Sequence, residues 1–483
     1  MGPIAEIKKF NNRDLKIFLI PTVIFLFYLS VFNPGIATYD TFNQFHQIAS
    51  GNFTSWHPFF HTFINMLCLK VYPSPISICL LQIFVFSSMW TIICKYHRDD
   101  NIEDKTFRLQ VIISLIICLI PINALYSITI WKDILFSYFL MFLCFLVKVL
   151  IDREGNVNYK FIILVALIMA FIAQLRGNGR YVIIIAMIIY SIYLFRKKNI
   201  KMGILLPVLT ITFILLISSL NIVYDVHDNE KDALMTKTAH MLADYDLNLE
   251  IEEADRNKIY ELIDKNRISE NYKPTGSDKI FAITNFKSAE NDSSTYLGLA
   301  LKYSLKNPLY CLHYLFKSAP MVWDITRSTD WLGRPYYMSG EHDRLQSDFK
   351  TYYVNRNFTA SQPYENISYV NWGNPVFNIL NLLALGIEGC VIFDTLFNSP
   401  ALYMYISFII LIFIHIITRS KEIYLIYIPN LLNILIVFLS TPIQDNRYLY
   451  PNLLVCYLLV IILIGLRQRY PDKFKFNNGL LSN

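Results

Sequence analysis

Long uninterrupted apolar stretches constrain the fold of this chain more than any other feature. The first covers residues 15–32, and similar blocks recur as far as residue 466. Blocks of about 20 apolar residues are typical of helices that cross a hydrocarbon core of ~30 Å. Strands of a membrane barrel would alternate apolar and polar residues instead. With 54% hydrophobic and only 17% charged residues, the composition agrees, and the sequence predicts an all-α polytopic membrane protein.

The distribution of basic residues predicts how these helices are oriented. About ten spans are predicted, at residues 15–32, 76–94, 109–130, 134–150, 161–175, 181–195, 203–223, 401–418, 423–439 and 450–466. Lysine and arginine are frequent in the loops on one side, such as "RKKNIK" at 196–201, and scarce on the other. Because cytoplasmic loops carry the excess of basic residues, both termini of this cell-membrane protein are predicted to be cytoplasmic. The same bias accounts for the net charge of +6, so no nucleic-acid partner is expected.

Three domains are predicted along the chain. An N-terminal membrane module, 1–223, precedes a polar segment, 224–398, which is too long for a connecting loop and is expected to form a mixed, mainly helical extracytoplasmic domain. A C-terminal membrane module with a short cytoplasmic tail follows at 399–483. Two further apolar stretches, 58–72 and 374–393, are predicted to lie in the membrane interface or to re-enter it. The first would cover only ~22 Å at ~1.5 Å per residue, although full spans remain open for both.

Ionisable residues at the predicted extracytoplasmic ends of the spans form the candidate site. Such groups are unfavourable at a membrane boundary unless they are paired or hydrated. Acid, imidazole and guanidinium groups gathered on one face therefore predict a cleft for a lipid headgroup that bears phosphate. From the first outer loop to the last, the candidates are Asp40, His57, Lys132, Asp133, Arg176, Arg180, Arg447 and Tyr448.

Each candidate also has an ordinary structural interpretation. Asp40 could cap a helix, and His57 could end a loop before a proline. The basic residues could flank turns or pair with neighbouring aspartates, and Trp131 could anchor a helix at the membrane interface. The eight cysteines lie almost entirely within apolar runs without metal-ligand spacing, so they are predicted to be small buried apolar side chains.

Several motifs resemble those of an established superfamily. They are "TYDTFNQFHQIASGNFTSWHPFFHTF" at 38–63, "LYSITIWKDILFSYFL" at 125–140, "RGNGRY" at 176–181 and "PIQDNRYLYP" at 442–451. In this order they look like a bacterial branch of the GT-C-fold glycosyltransferases, integral membrane enzymes that take sugars from polyprenyl-phosphate carriers. The resemblance implies an extracytoplasmic active site. There, Asp40 would activate the acceptor hydroxyl, Asp133 would supply a second acid, and Arg447 would bind the carrier phosphate.

The resemblance also sets expectations for the remaining groups. Substrate binding is expected of His57, Lys132, Arg176, Arg180, Arg447 and Tyr448. A divalent cation, magnesium or manganese, between Asp133 and the phosphate would be compatible with it, but some members need none, and no cofactor is assigned. The chain has "SWHP" where many members start a helix differently, and it lacks the WWD motif of oligosaccharyltransferases. Transfer of an oligosaccharide to asparagine is therefore not expected.

These features predict a membrane glycosyltransferase that moves a sugar from a polyprenyl-phosphate carrier to an envelope glycan, lipid or protein, with inversion. The first alternative is an envelope polysaccharide polymerase or ligase, in which Asp40→Asn should matter little. The second is a transporter or flippase of lipid-linked sugars, which would often show internal repeats or charged residues within spans. A purely structural envelope protein would tolerate replacement of Asp40, Asp133 and Arg447 together.

Overall fold

The computed structural model describes residues 10–98, 104–326, 375–440, 442 and 445–474, and within them the chain is helical, with isolated β-bridges and no strand. The first ten helices are α1 (Asn12–Val31), α2 (Tyr39–Ser50), α3 (Phe59–Val71), α4 (Ile76–Tyr96), α5 (Asp104–Leu119), α6 (Pro121–Ser127), α7 (Lys132–Asp152), α8 (Tyr159–Leu175), α9 (Gly177–Arg196) and α10 (Ile200–Val223). The next eight are α11 (Glu230–Asn248), α12 (Glu253–Leu262), α13 (Ile268–Asn271), α14 (Asp278–Phe281), α15 (Phe286–Asn291), α16 (Ser293–Lys306), α17 (Pro308–Ser318) and α18 (Pro320–Trp323). The last five are α19 (Pro375–Gly389), α20 (Val391–Asn398), α21 (Pro400–Thr418), α22 (Ile428–Ser440) and α23 (Tyr450–Arg469).

Eight segments of the described chain are long and apolar enough to cross a membrane. They are α1, α4, α7, α9, α10, α21, Lys421–Ser440 and Asn446–Arg469. Each coincides with a predicted span, so the prediction of a helical polytopic membrane protein is confirmed. The other two predicted spans are less regular, because α8 is a shorter apolar helix of 17 residues and α5 and α6 form a bent pair.

The span predicted over 109–130 is not one continuous helix. Helix α5 ends at Leu119, α6 begins at Pro121, and the two axes differ by 73°. A proline inside a helix removes a backbone donor and clashes with the preceding turn, whereas it fits the first position of a new helix. The bend leads the chain to residues 128–131, where Ile36 and Thr129 form an isolated parallel bridge.

Helices α7 and α23 lie at the centre of the bundle. In the apolar part of α7, 94% of the residues are buried within the protein, compared with 83% for Asn446–Arg469 and 17% for α10. Helix α10 is therefore peripheral and presents most of its surface outward. Since Lys132 and Asp133 form the first turn of α7, and Arg447 shortly precedes α23, these candidates lie at one end of the most buried helices.

A tight reversal joins α8 to α9. One residue, Arg176, separates the two helices, with an extended backbone at φ −150° and ψ 136°. Helix α9 then begins so close to α8 that a Cβ atom on Gly179 would lie 2.2 Å from the carbonyl oxygen of Ile172. Glycine is required there by this close approach, and the turn places the Arg176 side chain toward the centre of the bundle.

Helices α11 to α16 surround a hydrophobic core of their own, separate from that of the bundle. Its largest fully buried side chains are Tyr245, Tyr296 and Tyr303. The unit is joined to the loop before α3, where the N–H of Ser55 donates to the carbonyl oxygen of His227 at 2.8 Å. The predicted domain boundaries at 223 and 398 remain predictions. The aromatic-rich stretch "DWLGRPYYMSGEHDRL" at 330–345, which could equally face sugars or form packing and turns, lies outside the described residues.

The two stretches predicted to lie in the interface or re-enter the membrane are short helices. Helix α3 has 13 residues, and residues 375–398 form α19 and α20 with a break at Cys390. A length of 13 residues corresponds to roughly 20 Å, less than a ~30 Å core. Their position relative to the membrane remains a prediction.

Candidate functional site

The loops before α2 and α7 hold each other in place and bring two candidate aspartates to one end of the bundle. The N–H of Ile130 donates to the carbonyl oxygen of Ile36 at 3.0 Å, and the hydroxyl of Thr41 donates to the carbonyl oxygen of Ile130 at 2.8 Å. Thr41 also caps the start of α2 by accepting from the N–H of Thr38 at 3.0 Å. Because Asp40 lies in the first turn of α2 and Asp133 in the first turn of α7, these contacts bring the two turns together.

Six charged residues from distant parts of the chain meet here, and we call them the ion cluster. Its members are Asp40, Lys132, Asp133, Arg176, Asp445 and Arg447. The formal charges of its three carboxylates and three cations cancel. Ionised groups withdrawn from water are stable only when they are paired in this way.

Asp40 accepts from two cations through a single oxygen. Its Oδ2 lies 2.7 Å from Nη1 of Arg447 and 3.2 Å from Nζ of Lys132. The Asp40 side chain is 24% exposed, whereas Asp133 is fully buried. Asp40 is therefore the carboxylate of this pair that a molecule from outside can reach.

Asp133 has ion pairs but no hydrogen bond among the described residues. Its Oδ1 lies 3.2 Å from Nε of Arg176, and its Oδ2 lies 3.9 Å from Nε of Arg447. Neither contact has hydrogen-bond geometry, so both carboxylate oxygens are buried with unused acceptor capacity. A buried carboxylate left in this state is unfavourable.

Aromatic rings fix the two guanidinium groups. The guanidinium carbon of Arg447 lies 4.7 Å from the ring centre of Trp131, and that of Arg176 lies 4.5 Å from the ring centre of Tyr448. The indole N–H of Trp131 donates to the hydroxyl of Thr38 at 2.7 Å. Trp131 is 2% exposed, so the interpretation of this residue as a membrane-interface anchor is wrong, because the ring supports Arg447 inside the protein.

His57 adds a neutral imidazole beside the cations. Its Nδ1 lies 3.2 Å from Nζ of Lys132. Burial and the positive charge of Lys132 lower the pKa of His57 to about 3, so the ring is neutral at physiological pH. Burial opposes ionisation of Asp40, but the charges of Arg447 and Lys132 outweigh it and hold the pKa of that carboxyl well below its ordinary value.

Asp445 completes the surroundings of Arg447. Its Oδ2 lies 2.9 Å from Nε of Arg447, and burial raises its pKa above the ordinary value despite this partner. From the sequence alone, Asp445 and Arg447 could be expected only to pair with each other as near neighbours. In the structure Arg447 contacts Asp445 and Asp40 at once, so the local pair and the long-range contact coexist.

Of the other candidates, Tyr448 contacts the ion cluster. Arg180 is half-buried one turn into α9, and Tyr448 accepts from Nη1 of Arg176 through its carbonyl oxygen at 3.3 Å. On the other side, α14 brings Asp278 close enough for the charges of Arg447 and Asp40 to act on its carboxyl group. Burial raises the pKa of Asp278. Sequence reasoning missed Asp278, because nothing in a polar segment distinguishes it from the aspartates around it.

The arrangement can bind an anion and accept a proton. Lys132 and Arg447 are both paired with Asp40, and each could form an ion pair with an arriving phosphate instead. Asp40 is the partly exposed carboxylate beside them that could act as a base. No group of three or more His, Cys, Asp or Glu side chains suited to a metal ion occurs among the described residues. The predicted option of a divalent cation stays a prediction.

Fold and site together define a helical polytopic membrane protein with a charged, partly accessible cluster at one end of its central helices. The chain belongs to DUF6020, a family of unknown function that matches it over residues 76–474. Lys132, Asp133, Arg176 and Arg447 lie within the matched residues, whereas Asp40 and His57 precede them. Comparison with curated proteins and with solved structures finds no match.

Proposed function

We propose that this protein is a membrane glycosyltransferase that moves a sugar from a polyprenyl-phosphate carrier to an acceptor hydroxyl of an envelope glycan, lipid or protein on the extracytoplasmic side. The observation that carries the proposal is the position of Asp40 between Arg447 and Lys132. One accessible carboxylate lies at hydrogen-bond distance from two cations, all within a membrane-associated bundle. A base beside phosphate-binding groups is what transfer from a sugar phosphate requires.

The chemistry follows from these positions. The acceptor oxygen forms a bond to the anomeric carbon while the bond from that carbon to the phosphate oxygen breaks. The acceptor proton passes to Asp40, and the lipid phosphate leaves with the electron pair of the broken bond. Attack from the face opposite the phosphate inverts the configuration at the anomeric carbon. Arg447 and Lys132 stabilise the charge that develops on the leaving phosphate.

The low pKa of Asp40 does not prevent it from acting as the base. In the free protein the carboxyl stays ionised because Arg447 and Lys132 are its partners. A phosphate that engages these two cations removes that stabilisation and brings further negative charge into a cluster whose formal charges already cancel. Both changes raise the proton affinity of Asp40, so donor binding prepares the base for the acceptor.

Asp133 fits a role in binding rather than as the base. It is fully buried and paired with Arg176, and its oxygens have no hydrogen bond among the described residues. It can hold Arg176 and Arg447 in place for the substrate. His57, neutral beside Lys132, offers an imidazole nitrogen to the same substrate.

The proposal is tested with the full-length protein in proteoliposomes. Long-chain polyprenyl phosphates bearing radiolabelled hexoses serve as donors, and a membrane fraction of the source cells supplies the acceptor. We expect label in an acceptor glycoside of inverted configuration, together with an equal amount of released polyprenyl phosphate. Asp40→Asn should lower transfer by about 10²-fold or more, as expected for loss of a general base. Glu261→Gln is the matched control, because this carboxylate is paired with Lys258 on the surface of α12.

Two results would overturn the proposal. One is a wild-type protein that consumes none of a panel of such donors. The other is movement of the labelled carrier across the bilayer without formation of a glycosidic bond, which is the expectation for a flippase.

A further inference from the structure

A cavity of about 790 Å³ opens between α1, the bent α5–α6 pair, α19 and α20. Residues from each of these elements line it, among them Val23, Phe32, Leu119, Leu125, Leu383 and Phe397. Among the described lining residues only Tyr28 has a polar side-chain atom. An apolar cavity of this kind holds hydrocarbon and excludes water.

The cavity runs along the side of α1 over a length equal to about half of a bilayer core. Along α1 its wall extends from Val23 to Phe32, roughly 14 Å at ~1.5 Å per residue, compared with a ~30 Å core. Val23 is 59% exposed and Leu119 is 63% exposed, so the wall is accessible from the side of the bundle. The 73° bend between α5 and α6 forms part of the wall, because Leu119, Pro121 and Leu125 all line the cavity.

Two short series of contacts link the end of this cavity to the ion cluster. Phe397 lines the cavity, and the carbonyl oxygen of the next residue, Asn398, accepts from the side chain of Asn446 at 2.8 Å. Asn446 immediately precedes Arg447. A second connection runs from Leu125 in the wall to its neighbour Tyr126, whose ring centre lies 5.5 Å from that of Trp131, the ring under Arg447. The change from a hydrocarbon surface to ionised groups therefore occurs within a few residues.

This short transition selects one kind of amphiphile. In a glycerophospholipid, a glycerol with ester groups separates the chains from the phosphate and needs polar partners between the two regions. In a polyprenyl phosphate, the phosphate is bonded directly to the terminal carbon of the hydrocarbon. Cations that follow the apolar wall so closely complement the second arrangement in both charge and position.

We propose that this cavity binds the phosphate-proximal part of the polyprenyl chain of the donor, with the phosphate at Arg447 and Lys132 and the rest of the chain in the bilayer. The assignment rests on the proposed function and specifies where its donor enters: laterally, between α1 and α19. The bend at Pro121 is then a feature of the binding site, and α1, α5 and α19 contribute to donor recognition.

Direct binding tests the assignment. The full-length protein in phospholipid nanodiscs is titrated with a photoactivatable long-chain polyprenyl phosphate, and phosphatidic acid serves as the competitor. Val23→Trp and Leu119→Trp place an indole in the cavity, and each should weaken binding by about tenfold or more. Val208→Trp and Leu215→Trp are the matched controls, because these residues lie on α10 with 53% and 63% exposure and do not line the cavity. The controls should bind as the wild type does.

Each other outcome has a distinct meaning. Equal competition by phosphatidic acid would show that the cavity takes ordinary membrane lipid and would overturn the inference. Binding that survives both cavity substitutions but is lost in Arg447→Gln would place the chain elsewhere, while leaving the proposed donor intact. Cavity-dependent binding without any sugar transfer would support the cavity assignment and contradict the proposed function. No binding to the wild type would contradict both.

Discussion

Nη1 of Arg447 donates to Oδ2 of Asp40 at 2.7 Å, although 407 positions separate the two residues in the chain. The contact joins the first turn of α2 to the loop before α23, so the charged site is complete only after the last span has packed. Arg447 also meets Asp445 and Asp133, which makes it the residue that connects the three carboxylates of the ion cluster.

Replacement of Arg447 should lower donor use, in addition to the loss of stability expected when three carboxylates lose a shared cation. Arg447→Gln removes the cation between three carboxylates, and we expect transfer to fall by roughly 10²–10³-fold, the range for loss of one preorganised charge-stabilising group. Arg447→Lys keeps the charge but loses the planar fork that reaches Asp40 and Asp445 together, so it should recover only part of the rate. Donor turnover in proteoliposomes measures both. Equal activity of Gln, Lys and Arg at this position would contradict a role in phosphate binding.

The buried pair of Asp133 and Arg176 predicts a stability effect. Arg176→Met should lower the free energy of unfolding by about 3–5 kcal/mol, because Asp133 would lose its nearer cation in a fully buried position. The double substitution of Asp133→Leu with Arg176→Met should recover much of that stability, since it leaves no unpaired charge. Thermal unfolding measured by near-ultraviolet circular dichroism gives the comparison. Recovered stability without recovered transfer would separate the structural effect of the pair from its contact with substrate.

How much of this site the sequence could predict differs from residue to residue. Asp40, Asp133 and Arg447 were predicted to lie on one face because basic residues are scarce in their loops, and the structure brings all three together. The membrane side that this face occupies remains a prediction. Their pairing could not be predicted, because nothing local in the sequence specifies which of several loop cations contacts which carboxylate.

Two other features required tertiary information. The apolar stretch 109–130 predicts a single span, and a proline within such a stretch is compatible with either a kinked helix or a break, so the 73° bend at Pro121 is seen only in the structure. Trp131 occurs at a span end, where interface anchors are common, and only packing shows that its ring lies under Arg447. Hydrophobic periodicity thus predicts the helical segments, and charge bias predicts the membrane side of each loop. Contacts between distant segments depend on packing.

The hydrogen bond between Trp131 and Thr38 predicts a coupled effect. Trp131→Phe and Thr38→Val each remove the 2.7 Å bond, whose loss should lower the free energy of unfolding by about 1 kcal/mol in addition to the packing that each substitution removes. Together they should cost less than the sum, because the bond can be lost only once. A double-mutant cycle by thermal unfolding measures the difference. Additive effects would show that the bond contributes no net stability.

His57 predicts an acid-sensitive contribution to stability. In the folded protein its pKa is lowered to about 3 by burial and by Lys132, whereas an unfolded histidine titrates near ~6.5. Between these values the unfolded chain binds a proton that the folded chain does not, so the contribution is full above about pH 6.5 and declines as pH falls toward 3. His57→Gln should therefore flatten the decline of the melting temperature between pH 7 and 4.5, relative to the exposed control His313→Gln. Identical slopes in the two variants would contradict the burial of a neutral ring at this position.

Gly179 offers the sharpest test of how the fold positions the site. A Cβ atom added to this residue would lie 2.2 Å from the carbonyl oxygen of Ile172 and 3.2 Å from the ring of Phe136. The backbone oxygen cannot move without displacing the end of α8, and Arg176 lies in the turn between the two helices. Gly179→Ala should thus lower the melting temperature and also weaken donor binding, because Arg176 would leave its place beside Asp133. Gly298→Ala in α16 is the control, since an added Cβ meets nothing within 4 Å, and alanine is the better helix former by about 0.5–1 kcal/mol. Loss of stability with unchanged binding of a long-chain polyprenyl phosphate would show that the α8–α9 turn supports the bundle without setting the position of Arg176.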